Sequence, residues 1–173
     1  MLRHFEKILA QFPFSKLAAR GPLLRVRAIE AAEPPLLEKE FLPGTAVANL
    51  IGEAREFAHE DCCVEVEASW DLWQLEGEWK LAPSPVTLLC FGPEFENETG
   101  DNLRIEFGLD SRFLPMEGVE GSARMGQSNL RSLLHLVGDL ERSVPVAKRN
   151  LWSESGVNFA ELLAEAVAKL DIN

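Results

Sequence analysis

The feature that most constrains the fold is a two-residue alternation of apolar and polar side chains through the middle of the chain. It is clearest from residue 64 to residue 72, where the apolar set is Val64, Val66, Ala68, Trp70 and Leu72 and the residues between them are Glu65, Glu67, Ser69 and Asp71. Successive side chains of a β-strand point to opposite faces, so this rhythm predicts a strand with one buried face and one wet face. Such a strand needs a second layer over its apolar face.

Further strands are predicted on both sides of this segment. The alternation recurs at residues 24–28, 79–81, 86–90 and 103–109, and a shorter extended piece is predicted at 36–42. Glu76-Gly77 predicts a turn, and Pro83 and Pro85 predict an interruption of the returning strand, at an edge or a bulge. Because no crossover helix separates these strands, they predict a mainly antiparallel sheet of four to six strands.

Apolar residues at helical spacing predict helices before and after the sheet. The predicted ranges are 2–12, about 13 residues from an N-cap at Thr45, and a C-terminal pair at 128–142 and 158–170. Asn158 and Glu161 match a capping box at the start of the last helix. The sequence therefore predicts an α+β protein, a single two-layer domain over residues 1–173, with a strand-rich middle at about 23–110 and helices on one face of the sheet.

Composition and charge exclude several classes of protein. The 173 residues are 46% hydrophobic and 26% charged, which is typical of a globular protein. The net charge of −11 argues against a nucleic-acid partner. No apolar run approaches the roughly 20 residues of a membrane span, and Arg3 and His4 break the pattern of a signal peptide. We therefore expect a cytoplasmic protein with no membrane partner.

The charge is unevenly distributed along the chain. Residues 1–30 carry a net charge of +4, residues 31–120 carry −15, and residues 121–173 are balanced. A basic segment next to an acidic body predicts docking of that segment on its own sheet, with binding to an anionic partner as the alternative.

Three cysteines, an odd number, favour a reducing compartment over a disulfide framework. His59, Cys62 and Cys63 lie within five residues but lack a fourth zinc ligand nearby, and Cys90 is distant in sequence. We predict buried thiols, no metal site and no cofactor. The acidic residues between Glu94 and Asp101 do not match a calcium loop and predict a solvated hairpin connection.

A glycine-rich segment is the strongest candidate for a ligand site. Residues 121–128 have the spacing of a phosphate-binding loop, but Gln127 replaces the essential lysine and no buried parallel strand precedes it, which argues against nucleotide hydrolysis. A loop from Gly118 to Gly126 that leads into a helix can still bind a small carboxylate or phosphate. The candidate ligand-binding residues are Gly121, Arg124, Gly126 and Ser128. The alternative is a surface loop whose glycines only permit positive φ.

Arg131, His135 and Asp139 follow one another at four-residue spacing on a predicted helix. His135 and Asp139 are candidate catalytic residues, since a histidine between two charges can be a tuned acid or base. The alternative is a solvated helix face, and no familiar nucleophile motif accompanies the row. Among the tryptophans, Trp70 and Trp79 are predicted to be in the core, whereas Trp73 and Trp152 are candidates for an exposed contact patch.

The charged side chains of the strands should share the outward face of the sheet. This set comprises Arg25, Arg27, Glu65, Glu67, Asp71, Arg104 and Glu106. Opposite charges on neighbouring strands predict cross-strand ion pairs. The alternative is a dimer contact through this face or through a strand edge near Pro83 and Pro85.

These patterns favour a non-catalytic interaction or binding module, whose partner is another protein or a second copy of the chain. The alternative is an anionic-metabolite binder or enzyme that uses the Gly118–Gly126 loop with Arg124 and His135.

Overall fold

The computed structural model describes residues 1–28 and 34–153, in which three α-helices and five strands are present. In chain order these are α1 (Leu2–Gln11), β1 (Leu23–Ala28), β2 (Leu37–Glu40), α2 (Val47–Arg55), β3 (Cys62–Glu76), β4 (Glu78–Phe91), β5 (Leu103–Glu106) and α3 (Ser122–Ser143). The strands form one antiparallel sheet in the order β2-β1-β3-β4-β5, against which the helices pack. The predicted α+β class is confirmed.

The chain divides into two compact units, and β3 and β4 contribute residues to both. Unit 1 comprises residues 1–71 and 83–107; unit 2 comprises residues 72–82 and the chain from 108 onward. In unit 1, α1 contacts α2 and α2 contacts β1. The core of this unit consists of Phe5, Ile8, Leu9, Leu24, Val26, Leu50, Ile51, Val64, Val66, Val86 and Leu88, all of them buried.

The alternation predicted for β1 and β3 is confirmed by their register. Val26 lies opposite Val64, and Arg25 lies opposite Glu65. Val64 and Val66 are 0% exposed, whereas Glu65 keeps part of its surface in solvent. Where β1 pairs with β3, the valines at 26, 64 and 66 therefore face the core of unit 1, and Arg25, Glu65 and Glu67 face outward.

Strand β4 continues through Pro83 and Pro85, so the predicted interruption is wrong. The N–H of Gly92 donates to the carbonyl of Cys62 in β3, and the N–H of Phe91 donates to Asn102 on the opposite side. By the same alternation, the N–H groups that the two prolines lack fall on the side of β4 away from β3. Proline therefore removes no hydrogen bond from the β3–β4 ladder, because the loss is confined to one side of the strand.

Three predicted boundaries differ from the structure. Helix α3 begins at Ser122 rather than 128, because Ala123, Arg124 and Met125 favour helix and extend it. Helix α2 begins at Val47, and the hydroxyl of Thr45 donates to the carbonyl of Leu42 instead of capping the helix. Strand β5 ends at Glu106, earlier than predicted, and the predicted helix at 158–170 lies outside the described residues.

Within unit 2, the side chain of Asn129 joins α3 to β3. Its Oδ1 accepts the N–H of Trp73 at 2.9 Å, and its Nδ2 donates to the carbonyls of Trp73 at 3.0 Å and Arg112 at 2.7 Å. Asn129 is 2% exposed. Its amide thus pairs with the backbone of Trp73 much as a neighbouring strand would.

Candidate functional site

The glycine-rich segment lies before and within the start of α3. Gly121 has a φ of 79° and directly precedes the helix. The hydroxyl of Ser122, 3% exposed, accepts the N–H of Met116 at 3.1 Å and donates to the carbonyl of Met116 at 2.8 Å. The polar side chain at the start of the helix therefore closes the loop on itself.

The four predicted ligand-binding residues occupy different environments. Arg124 is exposed, whereas Gly126 is buried inside α3, where an added Cβ would lie 3.4 Å from the backbone of Leu114. A Cβ on Gly121 would lie 3.1 Å from the indole nitrogen of Trp79, and Ser128 is half-buried. Two of the glycines thus have packing roles that the sequence did not reveal. Binding of an anion by Arg124 remains a prediction.

The predicted row on α3 is exposed at two of its three members. Arg131 and His135 are exposed, and the carboxylate of Asp139 pairs with Arg142, one turn further along the helix. This arrangement is typical of a solvated helix face. A catalytic role for His135 and Asp139 remains a prediction.

Trp79, which is predicted to be in the core, and Trp152, a candidate for an exposed contact patch, both belong to unit 2. Trp79 is half-buried and its indole N–H donates to the carbonyl of Glu120 at 2.8 Å. Trp152 is 65% exposed, in agreement with the predicted exposed position, and Trp73 is half-buried.

The three cysteines are free thiols and are buried, as predicted. Removal from water raises the pKa of Cys63 and of Cys90 to about 12, and the carboxylate of Glu65 acts in the same direction on Cys63. Burial likewise raises the pKa of Cys62. Among residues 1–28 and 34–153, no group of three or more His, Cys, Asp or Glu side chains is placed to hold a metal ion.

These raised values predict a loss of stability at alkaline pH. The two thiols stay protonated in the folded protein up to about pH 12 but ionise near pH 9 once unfolded. Their contribution is complete below pH 9 and decreases as the pH rises further, by up to about 1.4 kcal/mol per pH unit for each thiol. Urea titrations at pH 8, 9 and 10 measure this slope. A Cys63→Ala/Cys90→Ala variant should have a shallower slope, and parallel slopes would contradict the assignment.

The acidic loop between β4 and β5 borders an open pocket of about 350 Å³, lined by Gly92, Pro93, Phe95, Glu96, Asn97, Gly100, Asp101 and Asn102. Within this loop, one carboxylate oxygen of Asp101 accepts hydrogen bonds from Arg104 and Thr99. Asn97 bonds to the backbone of Asp101 through both ends of its amide. The loop is a hairpin connection held by its own hydrogen bonds, as the sequence predicts.

The outward face of unit 1 is organised around Arg25. Its guanidinium bonds Glu38 of β2 at 2.6 Å, Glu65 of β3 at 2.8 Å, and also Glu67. Arg27 reaches Glu65 at 3.5 Å. Hydrogen bonding to Glu38 above all, and to the two β3 carboxylates, raises the pKa of Arg25 against the opposing effect of burial. The predicted cross-strand pairs of Arg25 and Arg27 are confirmed.

The pairing of Glu38 with Arg25 was not predicted. It depends on the register that places Glu38 opposite Arg25, and the short pattern at 36–42 does not determine that register. The signal available in the sequence was the spacing of Glu38 and Glu40, which are two residues apart in a short extended segment and therefore share one face of it.

Strand β2 is an edge of the sheet, with β1 as its neighbour. The N–H of Phe41 donates to the carbonyl of Pro22, in the register that pairs Glu40 with Leu23, so alternation along β2 directs the backbone groups of Glu38 and Glu40 away from β1. The N–H of Leu36, which precedes the strand, donates to Val26 one residue out of this register, so the alternation holds only from Leu37 onward. Leu36 and Leu42, which flank the strand, are 48% and 80% exposed. We call the backbone of Glu38 and Glu40, together with the side chains of Leu36 and Leu42, the β2 edge.

Comparison of the chain with protein-family models, with curated proteins and with solved structures finds no match. None of the helices in the described part of the chain has the length and the apolar content needed to cross a bilayer.

Proposed function

We propose that this chain is a non-catalytic protein-binding module and that the β2 edge is its contact surface. The observation that carries the proposal is the edge position of β2: in the described part of the chain its only neighbouring strand is β1, and alternation directs the backbone groups of Glu38 and Glu40 to the open side. An edge of this kind can accept a strand from another chain, because its N–H and C=O groups are already aligned.

The exposed side chains of Leu36 and Leu42 support the interpretation of this edge as a binding surface. Leu42, at 80% exposed, has most of its apolar surface in water, and Leu36 is 48% exposed. Burying such side chains against a partner contributes roughly 25 cal/mol per Å² of apolar surface. They lie one at each end of the strand, where a docked segment would contact both.

The charge of Lys39 does not block pairing of β2 with a strand of another chain. Lysine is the residue that most often blocks edge pairing. Lys39, however, bonds Glu53 of α2 at 2.7 Å and lies 5.3 Å from the ring centre of Phe41. Its ammonium is thus engaged by unit 1 on the inward side of the strand, which supports an edge available for pairing.

A selection from a random peptide library tests this function. Peptides are selected on the wild-type protein and counter-selected on Glu40→Pro, which removes one outward N–H together with the Glu40 carboxylate and leaves the bonds from β2 to β1 in place. We expect enriched peptides that bind the wild type at least tenfold more tightly than the proline variant.

Leu42→Ala is the second variant. Because Leu42 is 80% exposed, the substitution should leave the melting temperature unchanged and weaken the same peptides several-fold. Leu134→Ala on α3, at a side chain 53% exposed, is the matched control and should weaken none. A selection that yields no peptide sensitive to Glu40→Pro or Leu42→Ala would overturn the proposed function.

A further inference from the structure

The geometry of the β2 edge and the charge around it point to one class of partner. We infer that the β2 edge binds an extended peptide segment with lysine or arginine at alternate positions, added to the sheet as a sixth strand. This inference rests on the proposed function and specifies the chemistry of the partner.

The outward face beside the edge carries more negative than positive charge. Glu38 and Glu40 of β2 and Glu65 and Glu67 of β3 share this face with Arg25 and Arg27. One guanidinium, that of Arg25, serves three of these carboxylates. The face therefore has two negative charges in excess, which a cation delivered from the edge side would reduce.

A second copy of the chain fits this edge poorly. Two copies of β2 can pair symmetrically as antiparallel neighbours. Only two registers pair three residues of each strand and keep the outward faces of both sheets on the same side. One places Glu38 opposite Glu38 of the other copy and the other places Glu38 opposite Glu40, so carboxylates meet in both. Like charges directly opposite destabilise a strand pair. The edge thus disfavours self-association and selects a strand with other charges.

A basic segment with two-residue spacing meets these requirements together. Residues two apart on a docked strand lie on the same face, so two cations separated by one residue can stand opposite Glu38 and Glu40. Apolar residues two positions further out would then lie near the two ends of β2, where Leu36 and Leu42 are exposed. The segment Leu-Thr-Lys-Val-Lys-Thr-Leu is the simplest peptide with this pattern.

Fluorescence anisotropy with that labelled peptide tests the inference. We expect binding to the wild-type protein that weakens at least tenfold between low salt and 0.5 M salt, since exposed charges are screened. We expect Glu40→Gln to weaken binding about threefold to tenfold and Glu40→Pro to abolish it. Glu98→Gln, in the connection between β4 and β5, removes the same charge elsewhere and should leave binding unchanged. Thermal melts of each variant establish that it is folded.

Two control peptides separate charge from backbone pairing. Replacing both lysines by glutamate should abolish binding, and N-methylation of alternate backbone amides should do the same. Equal affinity for the lysine and glutamate peptides, or an N-methylated peptide that binds as tightly as its parent, would overturn the inference. If the library selection yields edge-dependent peptides without alternate basic residues, the inference fails while the proposed function stands. If it yields no edge-dependent peptide, both fail.

Discussion

Replacing Asn129 by alanine should lower the free energy of unfolding by about 2–4 kcal/mol. The substitution removes three hydrogen bonds and leaves the N–H and C=O of Trp73 and the C=O of Arg112 without their partner. It also leaves a small void at a position that is 2% exposed. Urea unfolding followed by tryptophan fluorescence measures the change, and the four tryptophans, with no tyrosine in the chain, give a clear signal.

Two further variants make this prediction specific to the amide. Asn129→Asp keeps an acceptor for Trp73 but places carboxylate oxygens against two carbonyls, so we expect it to be at least as destabilising as alanine. Gln127→Ala, an exposed position on the same helix, should change stability by less than about 0.5 kcal/mol. An effect of Asn129→Ala no larger than that of Gln127→Ala would show that water replaces all three bonds.

Replacing Arg25 by alanine should lower the free energy of unfolding by about 2–3 kcal/mol. Most of the effect arises from Glu65, whose side chain is 14% exposed and which would be left with the more distant Arg27. Glu38 and Glu67 are 53% and 45% exposed, so water compensates for much of the loss at those carboxylates. The measurement is urea unfolding at two salt concentrations.

A double-mutant cycle isolates the pair. The Arg25→Met/Glu65→Leu variant should be less destabilised than the sum of the two single changes, because no uncompensated charge remains. Arg25→Lys keeps the charge but cannot bond three carboxylates through a fork of donors, so an intermediate loss is expected. Additive effects in the cycle would contradict the pairing of Arg25 with Glu65. Glu65→Lys/Glu67→Lys should also lower the melting temperature, since Arg25 and Arg27 face these positions.

The strands were predictable where one face is buried and the other is wet. In β3, alternation from Val64 to Leu72 determines the faces, and it also places Glu65 and Arg25 on the same side of the sheet. In a strand every second residue has the same environment, so a short stretch of sequence is enough to show which side chains are buried. That is why the antiparallel sheet and its charged outward face could be predicted.

The rest depended on contacts between residues far apart in sequence. Nothing near Asn129 indicates that its amide bonds the backbone of Trp73, 56 positions earlier. Pro83 and Pro85 look like interruptions until it is known which side of β4 carries the bonds to β3. The packing role of Gly126 likewise depends on Leu114, which belongs to the preceding loop.

The candidate site was only partly predictable. A short extended segment is predicted at 36–42, but only the strand order identifies it as an edge. The glycine pattern around Gly121 attracts attention because it matches a known spacing, whereas the structure uses Gly121 and Ser122 to turn the chain into α3. Spacing alone does not separate a loop that binds a ligand from one that ends in a helix.

The short length of β2 limits the lifetime of any complex formed at its edge. The strand has four residues, and only Glu38 and Glu40 direct backbone groups away from β1, which allows at most four hydrogen bonds to an added strand. At about 0.5–1.5 kcal/mol each, these bonds barely repay the entropy of association. A complex held by so few bonds dissociates within about milliseconds, so association at this edge would be transient. A long-lived complex would require a tether or a second binding site.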